Sequence, residues 1–468
     1  MAVNPSKRHS TDTKDLSPPP VKRKLAATTT NKAVANFFKP ASEKQPEKTT
    51  FHIVHDTVLV GRHDSAHTSS RPKPVRIAAF DFDDTLIATK SGLKFARGED
   101  DWKWWHASVP SRLKKLHEEG YAIVVISNQG AVSLRADAKT PVAGQMRSLN
   151  NFKGKIKAVA LALDVPLSVY AATGKDEFRK PRGGLWGLLR RDYGLGGEGE
   201  VDVEGSFFVG DAGGREEEKA AGRKKDHSCS DRDFAANVGI AFHTPEEFFL
   251  DEAPKPFVRT FEPAKYLDTV LSAQTETSPL LFVKKNEVEV VLFCGSPGAG
   301  KSTFYWRRLE PSGYERVNQD LLKSRDRCMK VAREFLADGK AVAVDNTNAD
   351  IETRAAWIAL ARAAKVPIRL VLFTASAKLC EHNDVVRTLG GDAVNPEKRQ
   401  MLPKIAFTGF ASRYREPRVD EGFQDITKVD FEVKSYQHPT VLHDWLTTGT
   451  KFEGTDEEKQ QWRKYWTS

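Results

Sequence analysis

The run VRIAAFDFDDTLI places Asp81, Asp83 and Asp84 at the end of what reads as a buried strand, with Thr85 next. Asp81 and Asp83 are two residues apart, so an extended chain projects them to the same side. Adjacent carboxylates repel, and either a shared proton or a cation between them relieves the strain. An all-oxygen site suits Mg²⁺. The competing reading is local: Asp84 or Thr85 caps a helix. Further polar clusters favour chemistry. ISNQG offers Ser127 and Asn128 as hydroxyl and amide donors, and FRKP offers Lys180, a point charge for a phosphoryl oxygen. VGDAGGR offers Asp211, a hard ligand beside glycines that permit close approach.

A second phosphate-handling pattern lies downstream. GSPGAGKS matches GxxxxGK[ST] in full, after the apolar run VVLFC and before a plausible helix. Gly295, Ser296, Pro297, Gly298, Ala299 and Gly300 would turn backbone N–H groups toward phosphates, and the helix start at Lys301, Ser302 and Thr303 adds a favourable field. Lys301 is expected to reach the β- and γ-phosphates of ATP, and Ser302 to ligate Mg²⁺. Asp320, in RVNQDLL, follows a short strand and is placed to accept the proton of a substrate hydroxyl. The alternative is an N-cap for the helix LLKSRDRCMKVAREFL. Asp345, in VAVDNTN, ends a strand and would order the water shell of the metal. Arg387, in EHNDVVRTLG, would contact phosphates from a lid, with Arg354 as a second candidate.

These residues need elements to hold them. HIVHDTVLV reads as a strand, as do RIAAFDFD, YAIVVISNQG and SFFVGDAGG. VPSRLKKLHEEG and residues 154–163 read as helices. Residues 255–285 read as a connector with Pro256, Pro263 and Pro279. A second unit runs from EVEVVLFCGSPGAGKST through KAVAVDNTNAD, a helix at 350–365, and IRLVLFTAS. Strands alternating with helices imply parallel sheets with ligands at their carboxyl ends. The expected class is α/β, with two doubly wound domains at 51–270 and 271–468 after a disordered tail at 1–50.

Composition bounds the rest. Of the formal charge of +9, residues 1–50 carry +6, so the remainder is nearly neutral and any nucleic-acid contact must use local patches. No apolar run is long enough to span a membrane, and no apolar leader opens the chain. Cys229, Cys294, Cys328 and Cys380 lack paired spacing, which argues against a cysteine metal site and for a reducing compartment. The tail has six prolines and no periodicity. Its PPPVKRKL, with Lys7 and Arg8 upstream, resembles a bipartite nuclear import signal, which implies the nucleus. NKAVANFFKP, with Val34, Phe37 and Phe38, resembles a sliding-clamp-binding peptide, with Asn31 where Gln is usual.

DxDxT, Ser127, Lys180 and GD in this order resemble the haloacid-dehalogenase phosphatase superfamily. With the downstream phosphate loop, and with GRKKDHSCSDRDFAANVGI, TPEEFFL and EHNDVVR, the chain resembles the polynucleotide kinase 3′-phosphatase family from about residue 55 to its end. The resemblance implies a haloacid-dehalogenase-like phosphatase followed by a P-loop NTPase-like kinase. It makes Asp81 the nucleophile that forms an aspartyl-phosphate, and Asp83 the acid that protonates the leaving oxygen and then activates water. Asp81, Asp211 and the Asp83 carbonyl would hold Mg²⁺, with Ser127 and Lys180 against the transferring group. Asp84 stands where glycine is common and gets no role; Asp231 is a further acid near the metal. Animal members carry a forkhead-associated domain, which the short tail leads one to expect is absent here.

The implied activity is repair of DNA ends at nicks, gaps and double-strand breaks: 3′-phosphate to hydroxyl, and ATP-driven 5′-hydroxyl to phosphate. A monomer is expected. Arg215, Arg223, Lys224 and Lys225 would hold the backbone in the first half, and Arg325 and Arg327 in the second. Trp102, Trp104 and Trp105 suit either base stacking or core packing. Two alternatives share the pattern, an RNA end-healing enzyme and a damage-site adaptor with decayed catalysis. The intact Asp81, Asp83, Asp211, Lys301 and Asp320 argue against the adaptor.

Overall fold

The computed structural model describes residues 47–64, 72–134, 142–218, 222, 224–268, 282–389, 395, 397–430 and 463–464. The basic run at 18–25, the Phe37–Phe38 segment and Arg223 lie outside them. The chain divides between Glu47 and Lys48, and from Lys48 onward it forms one compact unit. That unit holds two large sheets.

The first sheet has the order β1-β2-β7-β6-β3-β8-β9. Its strands are β1 (Thr49–Val54), β2 (Val58–His63), β3 (Ile77–Phe80), β6 (Ala122–Asn128), β7 (Leu167–Ala172), β8 (Phe207–Val209) and β9 (Ala241–His243). A separate pair, β4 (Ile87–Ala88) with β5 (Lys103–Trp104), follows the acidic stretch. The stretch HIVHDTVLV is not one strand. It breaks into the hairpin β1–β2, with Val54 opposite Val58. His55 and Asp56 turn at φ 50° and 56°, and Asp is among the few residues that enter that region readily. β1 and β2 therefore run antiparallel at one edge, and the sheet is mixed rather than wholly parallel.

β3 is covered on both faces, which is why IAAF is a continuous apolar run. Ala78 and Phe80 enter one core with Phe82, Leu113 and Ile156. Ile77 and Ala79 enter another with Phe178, Leu189 and Phe234. Helices Val109–Glu118 and Val142–Leu163 cover the first face; Gly184–Asp192 and Ser230–Val238 cover the second. The helix read at 154–163 thus starts earlier. Trp102, Trp104 and Trp105 pack against the first core, with the Trp105 ring 6.0 Å from Phe249. They are partly buried there and contribute to packing.

The second sheet is parallel throughout, ordered β11-β12-β10-β13-β14. It comprises β10 (Val290–Cys294), β11 (Tyr314–Val317), β12 (Ala341–Val344), β13 (Ile368–Phe373) and β14 (Ile426–Val429). Helices Arg325–Ala337 and Ile351–Ala363 cover one face through Cys328, Ala332 and Trp357. Phe304, Cys380 and Phe407 cover the other. The helix expected over LLKSRDRCMKVAREFL is two helices, Gln319–Leu322 and Arg325–Ala337. Lys323 sits between them at φ 69°, and Ser324 caps the second by accepting from Arg327 N. Among the described residues no helix is long and apolar enough to cross a membrane, and the four cysteines are free and buried.

Candidate active sites

Asp81 extends β3 by one residue, its N–H donating to Val209 O at 2.8 Å. Phe82 is buried in the core, so Asp81 and Asp83 both face away from it. Asp84 takes φ 54°, which explains why glycine suits that position. Burial, then Asp83 and Asp81, holds the Asp84 carboxyl above its ordinary value.

Lys180 is the hub. It is buried, with Nζ 3.0 Å from Asp81 Oδ1 and 2.8 Å from Asp231 Oδ1. Burial pulls its pKa down, but Asp231 and Asp81 outweigh this and hold it above the usual lysine value. Asp211 follows β8, and Asp231 opens the Ser230–Val238 helix, its Oδ2 accepting from Ala212 N at 3.1 Å. A Cβ on Gly210 would collide with that carboxylate, so only glycine fits there. Asp81, Asp211 and Asp231 each offer an oxygen, all within 4.8 Å of one another. Burial, then Asp231 and Asp81, holds Asp211 well above its usual range. Burial also pushes Asp231 up to about 6, with Lys180 opposing. Three carboxylates against one ammonium leave excess negative charge in a desolvated place, and hard oxygens of this kind fit a small divalent cation.

Ser127 is buried near the end of β6, its Oγ accepting from Gln129 Nε2 at 3.1 Å. The same nitrogen donates to Asp83 Oδ2 at 2.7 Å, and the Lys155 ammonium lies 3.5 Å from Asp83 Oδ1. Neither Gln129 nor Lys155 was expected; both depend on a helix and a loop far from Asp83 in sequence. Asn128, expected as a donor to substrate, is a brace instead. Its Nδ2 donates to Lys180 O at 3.0 Å and its Oδ1 accepts from Lys180 N at 2.9 Å.

At the second site the loop leaves β10 and turns into the short helix Lys301–Phe304, with Gly298 at φ 77° and Gly300 at φ 91°. Ser296 and Ala299 are buried in the loop, and Ser302 and Thr303 lie in that helix. Gly295 packs on Phe373, where an added Cβ would lie 2.7 Å from the Phe373 Cβ. Lys301 is buried, with Nζ donating to Gly295 O (3.0 Å) and Ser296 O (2.6 Å). Burial lowers its pKa, and Asp345 opposes that. Asp345 is buried at the end of β12, one oxygen gripped by Arg316 at 2.9 and 2.5 Å. Asp320 is largely exposed and lies 3.2 Å from Arg399 Nη1. It is no cap: Asn318 caps that helix, accepting from Asp320 N at 2.9 Å.

Arg387 pairs with Asp384, and burial lowers its pKa, with Arg399, Glu397 and Asp320 also acting on it. Asp320, Arg387 and the unforeseen Arg399 therefore share one neighbourhood. Arg354 does not join them. It is fully buried, grips Glu421 through two 2.8 Å bonds and donates to Arg415 O, so its role is structural. Arg215 is likewise internal, paired with Asp226 at 2.9 Å and Glu246 at 2.5 Å. Lys225 pairs with Glu216 at 2.7 Å, whereas Lys224, Arg325 and Arg327 are exposed.

Comparison with known proteins agrees with this geometry. Residues 76–249 match the family described as polynucleotide kinase 3 phosphatase, and residues 290–417 match an AAA domain. Over 367 residues the chain is 39% identical to the bifunctional polynucleotide phosphatase/kinase of Schizosaccharomyces pombe, covering 78% of this chain and 82% of that one. It is 30% identical over 406 residues to a putative bifunctional polynucleotide phosphatase/kinase of Acanthamoeba polyphaga mimivirus, covering 82% and 91%. It is 34% identical over 206 residues to the polynucleotide 3′-phosphatase ZDP of Arabidopsis thaliana, covering 43% and 27%.

Proposed function

The chain belongs to the family of bifunctional polynucleotide phosphatase/kinases, and from that membership we propose that it prepares broken DNA ends for sealing in strand-break repair. The observation that carries the first half is Lys180 buried between Asp81 and Asp231, beside Asp211. Asp81 attacks the phosphorus of a 3′-phosphate and becomes an aspartyl-phosphate. Asp83, held by Gln129 and Lys155, gives its proton to the departing 3′-oxygen and then takes one from the attacking water. Lys180 and Ser127 face the phosphoryl oxygens. Asp81, Asp211 and the Asp83 carbonyl would hold Mg²⁺, with Asp231 behind them. When bound, that ion supplies positive charge against the transferring group.

In the second half the loop 295–300 receives the phosphates of ATP. Lys301 exchanges its two carbonyl partners for phosphate oxygens. Asp320 accepts the proton of the 5′-hydroxyl, and Arg387 meets the developing negative charge. Ser302 and Asp345 would hold Mg²⁺ here. The division of labour follows 51–270 and 271–468. The basic tail would direct the protein to the nucleus, the Phe37–Phe38 segment would engage a sliding clamp, and the enzyme would act as a monomer.

The test is a nicked DNA duplex with 3′-phosphate and 5′-hydroxyl, incubated with the protein, ATP and Mg²⁺, beside the same nick in RNA. Conversion of both DNA ends, faster than both RNA ends, is expected. Faster RNA conversion would favour RNA end healing, and no conversion would leave only the adaptor.

A further inference from the structure

The Ala377–Leu389 helix has two neighbours on adjacent stripes. Cys380, Asn383 and Arg387 recur at helical spacing and face the phosphate loop side. A Cβ on Gly298 would collide with the Cys380 carbonyl oxygen, so loop and helix touch backbone to backbone. Asn383 Nδ2 donates to Gly298 O at 3.2 Å. Leu379, His382 and Val386 form the next stripe, and what covers them comes from before the second sheet. Phe261 and Leu379 make a buried cluster, with Tyr266 and Val386 packed around it. The Phe261 ring lies 5.0 Å from the ring of the fully buried His382 and 5.5 Å from Tyr266.

Phe261 is tied to the phosphatase site by a short strap. Val258 N donates to Gly214 O at 2.9 Å, and Phe257 bridges to Arg215. The Arg232 guanidinium sits 3.8 Å from the Phe257 ring centroid. Arg259 pairs with buried Asp233 at 2.7 Å. Asp233 is two residues past Asp231, and Gly214 is three past Asp211. The strap thus leaves the acidic loops of the first site and, within a few residues, sets an aromatic ring on the helix that packs on the phosphate loop.

We infer that Phe261 is a positioning residue for the kinase: from the phosphatase side it holds the Ala377–Leu389 helix in the register that the phosphate loop and Arg387 require. The inference rests on reading the second site as an ATP-dependent kinase. The Gly298–Cys380 contact is between backbones, so no side chain there can absorb a shift of the helix. Removing the ring leaves a void on the neighbouring stripe into which the helix relaxes.

The test uses the full chain with Phe261→Ala. Binding of a fluorescent non-hydrolysable ATP analogue should weaken about tenfold, which is roughly 1.4 kcal/mol. The KM for ATP should rise in parallel, while 3′-phosphatase kcat/KM stays within about twofold. Phe261→Leu, which refills most of the void, should recover most of the affinity. Loss of folded protein alone would lower kcat and leave KM for ATP and analogue binding unchanged, and that result overturns the inference. So does wild-type analogue affinity in folded Phe261→Ala. If Phe261→Ala fails to fold, Tyr266→Ala, which removes the ring packed on Phe261, decides by the same affinity measurement: weakened binding is expected, and unchanged affinity overturns the inference. A wild-type protein that binds the analogue but phosphorylates no 5′-hydroxyl refutes the kinase reading separately.

Discussion

Replacing Lys180 by Met removes the ammonium shared by Asp81 and Asp231 while nearly preserving volume. The side chains of Lys180 and Asp231 are each 1% exposed and that of Asp81 is 15% exposed, so solvent compensates little. Stranding partners of a buried ion pair costs about 3–5 kcal/mol. Spread over the compact unit from Lys48 onward, that cost corresponds to a fall in Tm of roughly 3–6 °C. Calorimetry of Lys180→Met in the presence of a chelator should show that fall. Adding Mg²⁺ should recover part of it, because a cation can take over the pairing that the ammonium provided. The 3′-phosphatase should be lost in both conditions and the 5′-kinase kept. A variant within about 1 kcal/mol of wild type, or one that still removes 3′-phosphate at a normal rate, would show that Lys180 does not organise the cluster.

Other expectations are more local. Asp231 has its pKa raised from 3.8 to about 6, chiefly by burial, so it costs stability once ionised: the native state holds the extra proton between those values. Without metal, wild type should lose on the order of 2–3 kcal/mol relative to Asp231→Asn as pH rises from about 4 to 6, read by urea melts; a flat difference would contradict this. Asn128→Ala removes both bonds that frame Lys180 and should cost the phosphatase roughly ten- to a hundredfold in kcat, with kinase activity untouched. Gly298→Ala puts a Cβ at φ 77° against the Cys380 carbonyl and should abolish detectable ATP binding while 3′-phosphatase activity persists.

Much of both sites was legible because it is local. The phosphate loop is contiguous, and Asp81, Ser127 and Asp211 each close an apolar run, so strand ends marked them. What escaped was set by contacts between distant segments. Lys155 and Gln129 meet Asp83 only because a helix and a strand end pack beside β3. Arg399 reaches Asp320 from 79 residues further along the chain. Asn128 has the right chemistry to donate to a substrate, yet its partners are backbone atoms of a loop 52 residues away. Arg354 looked like a phosphate contact until Glu421 and a set of carbonyls filled its donors. The hairpin at 55–57 hid inside an apolar stretch because only three residues, two of them with left-handed backbone, separate its strands.

The most direct measurement of the central claim follows both ends of one nick with wild type, Asp81→Asn and Lys301→Ala. Two phosphate sites that work independently predict that Asp81→Asn keeps 5′-phosphorylation and loses 3′-dephosphorylation, and that Lys301→Ala does the reverse. Loss of both activities in either variant, with the protein folded, would contradict it.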